Sequence, residues 1–190
     1  MQRPLATITM EHGTEILIEL YPEDAPNTVN SFIFLANGGH FDAHAIERII
    51  PGAFADMSYR AFGKEACKYL IEPETRAAGF PNSLKAEPGV IHMGGYGEAG
   101  IAGGEFFFPL AWQPKIDGNY PGFGKVIRGL EEIERWGEVE LQQVIIPENP
   151  NLRCNAPVVP IVIAKVRVET WGESYPEPLR KEMLKKPSTW

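Results

Sequence analysis

Cysteine is scarce in this chain: Cys67 and Cys154 are the only two among 190 residues. A chain this long buries an adequate core unaided, so a bridge between them would be optional. Two buried thiols in a reducing cytoplasm are the expectation. Long apolar runs are missing as well. No stretch approaches the roughly 20 residues of a membrane span, and the opening Met1-Gln2-Arg3-Pro4-Leu5-Ala6 lacks the hydrophobic segment of a secretory leader. Basic residues are outnumbered, 18 Lys and Arg against 25 Asp and Glu, for a formal net charge of −7. Nucleic acid and anionic lipid both require a basic face, so neither nucleic acid nor membrane is expected as a partner. Internal repeats and low-complexity segments are also missing. With 44% hydrophobic and 23% charged residues, what remains has the composition of one ordinary globular domain. It sets no oligomeric state.

The periodic segments are mostly short and strand-like. Leu5 to Met10 and Thr14 to Leu20 flank Glu11-His12-Gly13, an N-terminal hairpin whose second strand alternates Ile16, Ile18 and Leu20 with more polar positions. A helix follows. Asp24 is its expected cap, Pro26 sits near its first turn, Val29, Phe32, Ile33 and Ala36 form an apolar stripe, and Gly38-Gly39 ends it. Further strands are expected at Gly89 to Met93, at Glu105 to Leu110 with Phe106 and Phe108 opposite Phe107, at Phe123 to Val126, and at Val158 to Val168 with Val162, Ala164, Val166 and Val168 sharing a face. Leu130 to Trp136 predicts a second helix, with Glu131, Glu132 and Glu134 on its solvated side. Residues 143–157, with Pro147, Pro150 and Pro157, read as an irregular connection, and Met57 to Arg60 as more extended chain. Short strands, glycine-rich turns and two helices point to an all-β barrel or sandwich with helical caps.

Ile46 to Asp56 carries the most chemical information. Ile46, Arg48 and Ile50 alternate with Glu47 and Ile49, which places a guanidinium beside two isoleucines before Pro51-Gly52 turns the chain. An unpaired charge among aliphatic side chains costs several kcal/mol. Two readings stand: a structural ion pair or edge arginine, and an arginine with chemistry to do. Elsewhere the signals are weaker. His40 and His44 have helical metal-ligand spacing, but Phe41-Asp42 reads as a turn and no CxxC or HExxH accompanies them, so no metal is expected. Gly94-Gly95-Tyr96-Gly97 lacks the helix and lysine of a phosphate-binding loop.

In order along the chain stand Pro26-Asn-Thr-Val-Asn-Ser-Phe32, Gly39-His-Phe-Asp42, Arg48-Ile-Ile-Pro-Gly52, Gly89-Val-Ile-His-Met93, Glu105-Phe-Phe107, Asp117-Gly118 and Phe123-Gly-Lys-Val126. This series resembles the cyclophilin family of peptidyl-prolyl isomerases. The resemblance implies a mainly β fold, a closed eight-stranded antiparallel barrel with a helix at each end, over residues 1–170, with residues 171–190 as a tail or short helix. It implies an isomerase of X-Pro bonds with no cofactor and no metal, acting on proline-containing peptides or unfolded proteins, with Arg48 as the catalytic residue.

The substrate-binding positions it implies are Phe54, Asp56, Gly94, Gly95, Glu105, Phe107, Ile116 and Tyr120. Several depart from the family pattern. Ala53-Phe54-Ala55-Asp56 replaces Phe-Met-x-Gln, Gly94-Gly95 replaces Ala-Asn, Glu105 replaces glutamine, Lys115 stands at the tryptophan position, Ile116 at the adjacent leucine and Tyr120 at the histidine. A carboxylate at Asp56 reaching Arg48 would neutralise it and weaken catalysis. The alternatives are a proline-peptide binding module or chaperone without turnover, and a barrel for another small ligand contacted by Lys115, Tyr120 and Glu105. Lys115 also predicts poor binding of the family's cyclic peptide inhibitor.

Overall fold

The computed structural model describes residues 2–57, 65–146, 149–183 and 187. Two strands open it, Leu5–Met10 (β1) and Glu15–Leu20 (β2), paired antiparallel from Leu5 opposite Glu19 to Thr9 opposite Glu15. Period-2 alternation turns Ala6, Ile8, Met10, Ile16, Ile18 and Leu20 inward, where all are buried. Helix α1 spans Pro26–Asn37. Asp24 does not cap it: the Asp24 Oδ1 accepts the Ser83 amide at 2.5 Å, and Ala25 at the N-cap makes no side-chain cap bond. The helix start is served from 46 residues away, where the buried Glu74 carboxylate accepts the amides of Asn27 and Thr28 and the Thr28 hydroxyl, each at 2.8 Å. An anion at this end also meets the positive pole of the helix dipole.

The remaining strands are His44–Ile46 (β3), Arg48–Ile50 (β4), Phe54–Asp56 (β5), Leu70–Ile71 (β6), Val90–Gly95 (β7), Ile101–Pro109 (β8) and Gly122–Arg128 (β9). Helix α2, Leu130–Trp136, is followed by Leu141–Ile146 (β10), Asn149–Pro157 (β11) and Ile161–Glu169 (β12). Among the described residues the main sheet runs β3-β12-β1-β2-β9-β7-β8-β5-β4, with β6 on β8. The path has nine strands where eight are expected, and the reason is local. Only Glu47 separates β3 from β4; the upstream half pairs with β12 and the downstream half with β5. One extended segment thus supplies both ends of the path, and the barrel is nearly closed through the chain itself.

The interruption at Glu47 also changes which residues share a face. Ile46 and Ile49, three apart, are both buried, whereas Ile50 is 39% exposed. Arg48 therefore projects outward with Ile50, not inward with Ile46. A similar shift affects β12. A bulge opposite Thr9 and Met10 resets the alternation, so Ile161, Ile163, Val166 and Val168 are the buried set and Ala164 faces solvent.

Aromatic rings fill the interior. Phe32 from α1 lies 5.4 Å from Phe41, 5.6 Å from Phe106 and 5.1 Å from Phe123, ring centre to ring centre. Helix α2 packs Ile133 and Trp136 at the other end, with Trp136 5.9 Å from Phe108. Glu132, expected in solvent, is buried: it accepts the Trp136 indole N–H at 2.9 Å and two bonds from Arg135. Burial pushes its carboxyl up, but these donors outweigh burial and hold it below the ordinary range.

Residues 143–146 and 149–157 are not irregular. β10 and β11 form a two-stranded ribbon alongside β4. Prolines are tolerated there because a lone ribbon leaves many amide positions facing no neighbour. Beyond Thr170 the described chain has no helix. It runs extended across the foot of α1, where Leu179 N–H donates to Asn27 Oδ1 at 2.8 Å and Lys181 N–H to Leu70 O at 2.7 Å. Ser58 to Arg60 lie outside the described residues.

Candidate active site

The hairpin of β4 and β5 turns at Pro51-Gly52-Ala53, with Gly52 at φ +67°, a conformation glycine adopts without strain. Its register is symmetric about Gly52: Ile50 opposes Phe54, Ile49 opposes Ala55, and Arg48 opposes Asp56. Directly opposed residues project from the same face, so the pairing of Arg48 with Asp56 follows from the turn alone. The Asp56 carboxylate accepts Arg48 Nε at 3.1 Å and Nη2 at 2.5 Å. Both are mostly buried, with side chains 23% and 12% exposed. The guanidinium also lies over the Phe54 ring, 5.2 Å from its centre.

β5 continues the register onto β8, Asp56 opposite Phe107 and Phe54 opposite Pro109. Phe106 and Phe108 point into the barrel and Phe107 points out, as alternation requires. Phe107 is nonetheless 5% exposed, because other rings surround it. Phe54 and Tyr120 each lie 5.6 Å from it, the latter edge-on, and His92 stacks on it at 5.3 Å. His92 is itself buried. Its Nδ1 faces the Tyr120 carbonyl at 3.3 Å and its Nε2 the Lys85 carbonyl at 3.1 Å. Burial drives its pKa down to about 4, against the raising effect of those carbonyls, so the ring is neutral at pH 7.

Two residues before Phe107 on the same face is Glu105, which accepts the Tyr96 hydroxyl. Opposite it on β7 is Gly94, where a Cβ would come within 2.8 Å of the Glu105 carbonyl. Glycine is thus required by the closeness of the two backbones. The third wall comes from the loop between β8 and β9, which presents Ile116 and Tyr120. Asp117 fastens that loop, accepting the Ala86 amide at 2.9 Å and pairing with Arg76 at 2.6 Å. Burial raises its carboxyl, but the amide and the guanidinium more than offset this and depress it.

Arg48, Phe54, Asp56, Gly94, Gly95, Glu105, Phe107, Ile116 and Tyr120 all line one cavity of about 140 Å³. Sequence reasoning brought these nine together and missed Met57 and Tyr96, which line it too. Tyr96 was legible as the residue following Gly94-Gly95. Met57, first after β5, carried no periodic signal. Lys115 is exposed and does not line the cavity. One end of the cavity is apolar, walled by Phe54, Phe107, Ile116 and Tyr120; the other is polar, with Tyr96 and Glu105 beside the glycine pair. Such a site has room for a small ring and for main chain passing a fixed cation.

Residues 5–168 match the family model of the cyclophilin type peptidyl-prolyl cis-trans isomerase/CLD. The chain is 37% identical over 123 residues to peptidyl-prolyl cis-trans isomerase B of Bacillus subtilis, covering 64% of this chain and 82% of that protein. It is 32% identical over 141 residues to peptidyl-prolyl cis-trans isomerase-like 2 of Cryptococcus neoformans, spanning 72% of this chain but 24% of that longer protein. The fold is similar to that of a Cryptosporidium parvum cyclophilin type peptidyl-prolyl cis-trans isomerase solved in the presence of the dipeptide Ala-Pro. The TM-score is 0.70 at 18% identity, over 87% of this chain and 99% of that one.

Proposed function

The chain belongs to the cyclophilin-type peptidyl-prolyl cis-trans isomerase family, and from that premise we propose that Arg48 is its catalytic residue, acting on X-Pro bonds of peptides or unfolded proteins. Amide resonance sets a barrier of about 18–20 kcal/mol to this rotation, and uncatalysed X-Pro exchange takes roughly tens to hundreds of seconds. Catalysis requires only that the twisted amide be bound better than either planar form. As the amide twists, its nitrogen gains lone-pair character and becomes a hydrogen-bond acceptor. A guanidinium N–H is a charge-assisted donor to that nitrogen, and in a partly dry site it supplies a few kcal/mol. Phe54, Phe107, Ile116 and Tyr120 hold the proline ring meanwhile, and Gly94-Gly95 leaves space for the main chain.

The observation that carries this reading is the position of the Arg48 guanidinium on the wall of an aromatic cavity sized for one ring. The Ala-Pro dipeptide in the Cryptosporidium structure supports a proline-containing ligand. The test is NMR exchange on an Ala-Pro-Phe peptide. Catalysed exchange is expected from the wild type, falling roughly 10²-fold in Arg48→Ala; equal exchange in both would overturn the assignment.

A second reading rests on Asp56. Its bonds to Arg48 occupy donors that the twisting amide needs and offset the cation's charge. A non-catalytic proline-peptide binder would bind the same peptide without accelerating exchange. Residues 1–170 are the working unit in either case, and 171–190 an appended tail. Among the described residues no helix is long and apolar enough to cross a membrane.

A further inference from the structure

The appended tail reaches back onto the barrel at three consecutive residues. Asn27, in the first turn of α1, holds Leu179 by two reciprocal bonds: its Nδ2 donates to the Leu179 carbonyl at 2.9 Å and its Oδ1 accepts the Leu179 amide at 2.8 Å. The Arg180 guanidinium lies 4.5 Å from the centre of the Tyr69 ring, one residue ahead of β6. Lys181 pairs antiparallel with Leu70, its amide donating to the Leu70 carbonyl at 2.7 Å. Its ammonium meets the exposed Glu72 carboxylate at 3.2 Å. With backbone and head group both fixed, the aliphatic stem of Lys181 has a set place on the barrel.

That stem leads to the cavity. β6 pairs with the start of β8, Leu70 opposite Ala102 and Ile71 opposite Ile101. Gly100, just ahead of β8, lies against strand and stem together: a Cβ there would come within 3.1 Å of the Ile71 carbonyl and 3.2 Å of Lys181 Cδ. The Gly100 carbonyl accepts the Tyr96 amide at 2.9 Å, and Gly95 opposes Ile101. A Cβ on Gly95 would stand 2.9 Å from the same carbonyl, so the two strands meet there without slack. The far side of this turn is the cavity wall, to which Gly94, Gly95 and Tyr96 all contribute. Between Lys181 and the wall stands one residue, Gly100. The wall itself is poor in side chains, with glycine at 94, 95, 97 and 100, so its backbone depends on outside contacts to keep one shape.

We propose that Lys181 is a positioning residue for the proline-peptide site: its stem backs Gly100 and so keeps residues 94–96 in the shape that receives the peptide main chain. The inference rests on the ring-binding reading given above. Lys181 acts through Gly100, and its ion pair with Glu72 aims the stem. Without the stem the wall holds its binding shape for part of the time, and apparent affinity falls by that fraction while the bound complex reacts as before. A wall competent about a third of the time raises KM about threefold.

The experiment compares the full chain with its Lys181→Ala and Lys181→Met variants, using NMR exchange on an Ala-Pro-Phe peptide for kcat and KM. Lys181→Ala is expected to raise KM about threefold with kcat within about twofold of wild type. Lys181→Met, which keeps a stem of similar length without the charge, is expected within about 1.5-fold of wild type in both. A merely structural role would lower stability in urea and leave KM unmoved, and that result overturns the proposal. So does a Lys181→Met variant as impaired as Lys181→Ala, since the charge and not the stem would then be at work. Where peptide binds without turnover, the same ranking is read from its dissociation constant. Deuterium uptake in residues 94–100 needs no ligand and separates this inference from the reading it rests on. Faster uptake in Lys181→Ala than in the other two proteins is expected even if no peptide binds, in which case the ring-binding reading fails and the bracing of the wall stands. Equal uptake in all three overturns the proposal.

Discussion

Arg48 and Asp56 are the two residues on which the proposed mechanism turns. Their distance was fixed by a three-residue turn whose symmetry places position 48 opposite 56, so the pairing was legible once the hairpin was recognised. The face on which they stand was not. Strict alternation puts Arg48 beside Ile46, but the break at Glu47 turns the arginine outward. Single-residue interruptions leave no periodic trace in a run of β-branched residues. Asp56 holds Arg48 through charge-assisted bonds of a kind worth about 1.5–3 kcal/mol each. Relieving even about 1 kcal/mol of that competition in the transition state is worth about fivefold in rate. Asp56→Gln is accordingly expected to raise kcat/KM on an Ala-Pro-Phe peptide by about three- to tenfold. An unchanged or lower value in a variant with an unaltered circular dichroism spectrum would refute the competition. With Lys115, exposed and outside the cavity lining, at the position where the family has tryptophan, the family's cyclic peptide inhibitor is expected to bind more weakly than about 1 μM by calorimetry, some 8 kcal/mol or less.

At the scale of elements, local signals located both helices, and long-range contacts decided what holds them. The Val29, Phe32, Ile33 and Ala36 stripe is buried as its spacing requires. Its cap is Glu74, which the sequence does not single out, because a carboxylate 46 residues away has no signature as a cap. Glu74→Ala leaves two helix amides and a buried hydroxyl unserved, and a loss of about 2 kcal/mol is expected in urea unfolding, with Glu74→Gln losing about half as much. The ribbon of β10 and β11 escaped notice for the opposite reason: its prolines announce a breaker, yet Pro150 and Pro157 sit within a strand of a two-stranded ribbon. The loop bearing Ile116 and Tyr120 is fastened by Asp117 to Ala86 and Arg76. Asp117→Asn is expected to loosen that wall and raise KM about threefold while kcat changes less than twofold, since about 0.7 kcal/mol of ring binding would be lost. Steady-state kinetics distinguishes this from a general loss of fold, which would lower kcat.

For the whole molecule, the ordered motifs made barrel and helical ends legible, whereas the buried polar residues that tune it were not. His92 lies inside a run that reads simply as apolar strand. Its folded pKa, about 4, lies below the ordinary 6.5, so between those values the unfolded chain binds more protons and stability falls as pH is lowered. The contribution is complete above pH 6.5 and drains away through pH 4. Between pH 7.5 and pH 5 a loss of about 2 kcal/mol is expected in urea unfolding, before most carboxylates titrate. His92→Gln, which cannot take up a proton, should show less than half of it.

The seam at Glu47 has a dynamic consequence. Because β3 and β4 bond to different neighbours, β12 and β5, the ladder of hydrogen bonds that encircles the barrel is not continuous there. The Arg48 hairpin is held to the rest of the main sheet by three residue pairs with β8, by the Leu110 amide on the Ala53 carbonyl and by the chain at either end, through Glu47 and Met57, with the β10–β11 ribbon packed alongside β4. It has the connectivity of a flap, able to open as a unit while β1, β2 and β12 stay intact. Amide deuterium uptake in Arg48 to Asp56 should therefore be faster than in β1, and a proline peptide bound across the cavity should slow it, coupling occupancy of the site to closure of the barrel.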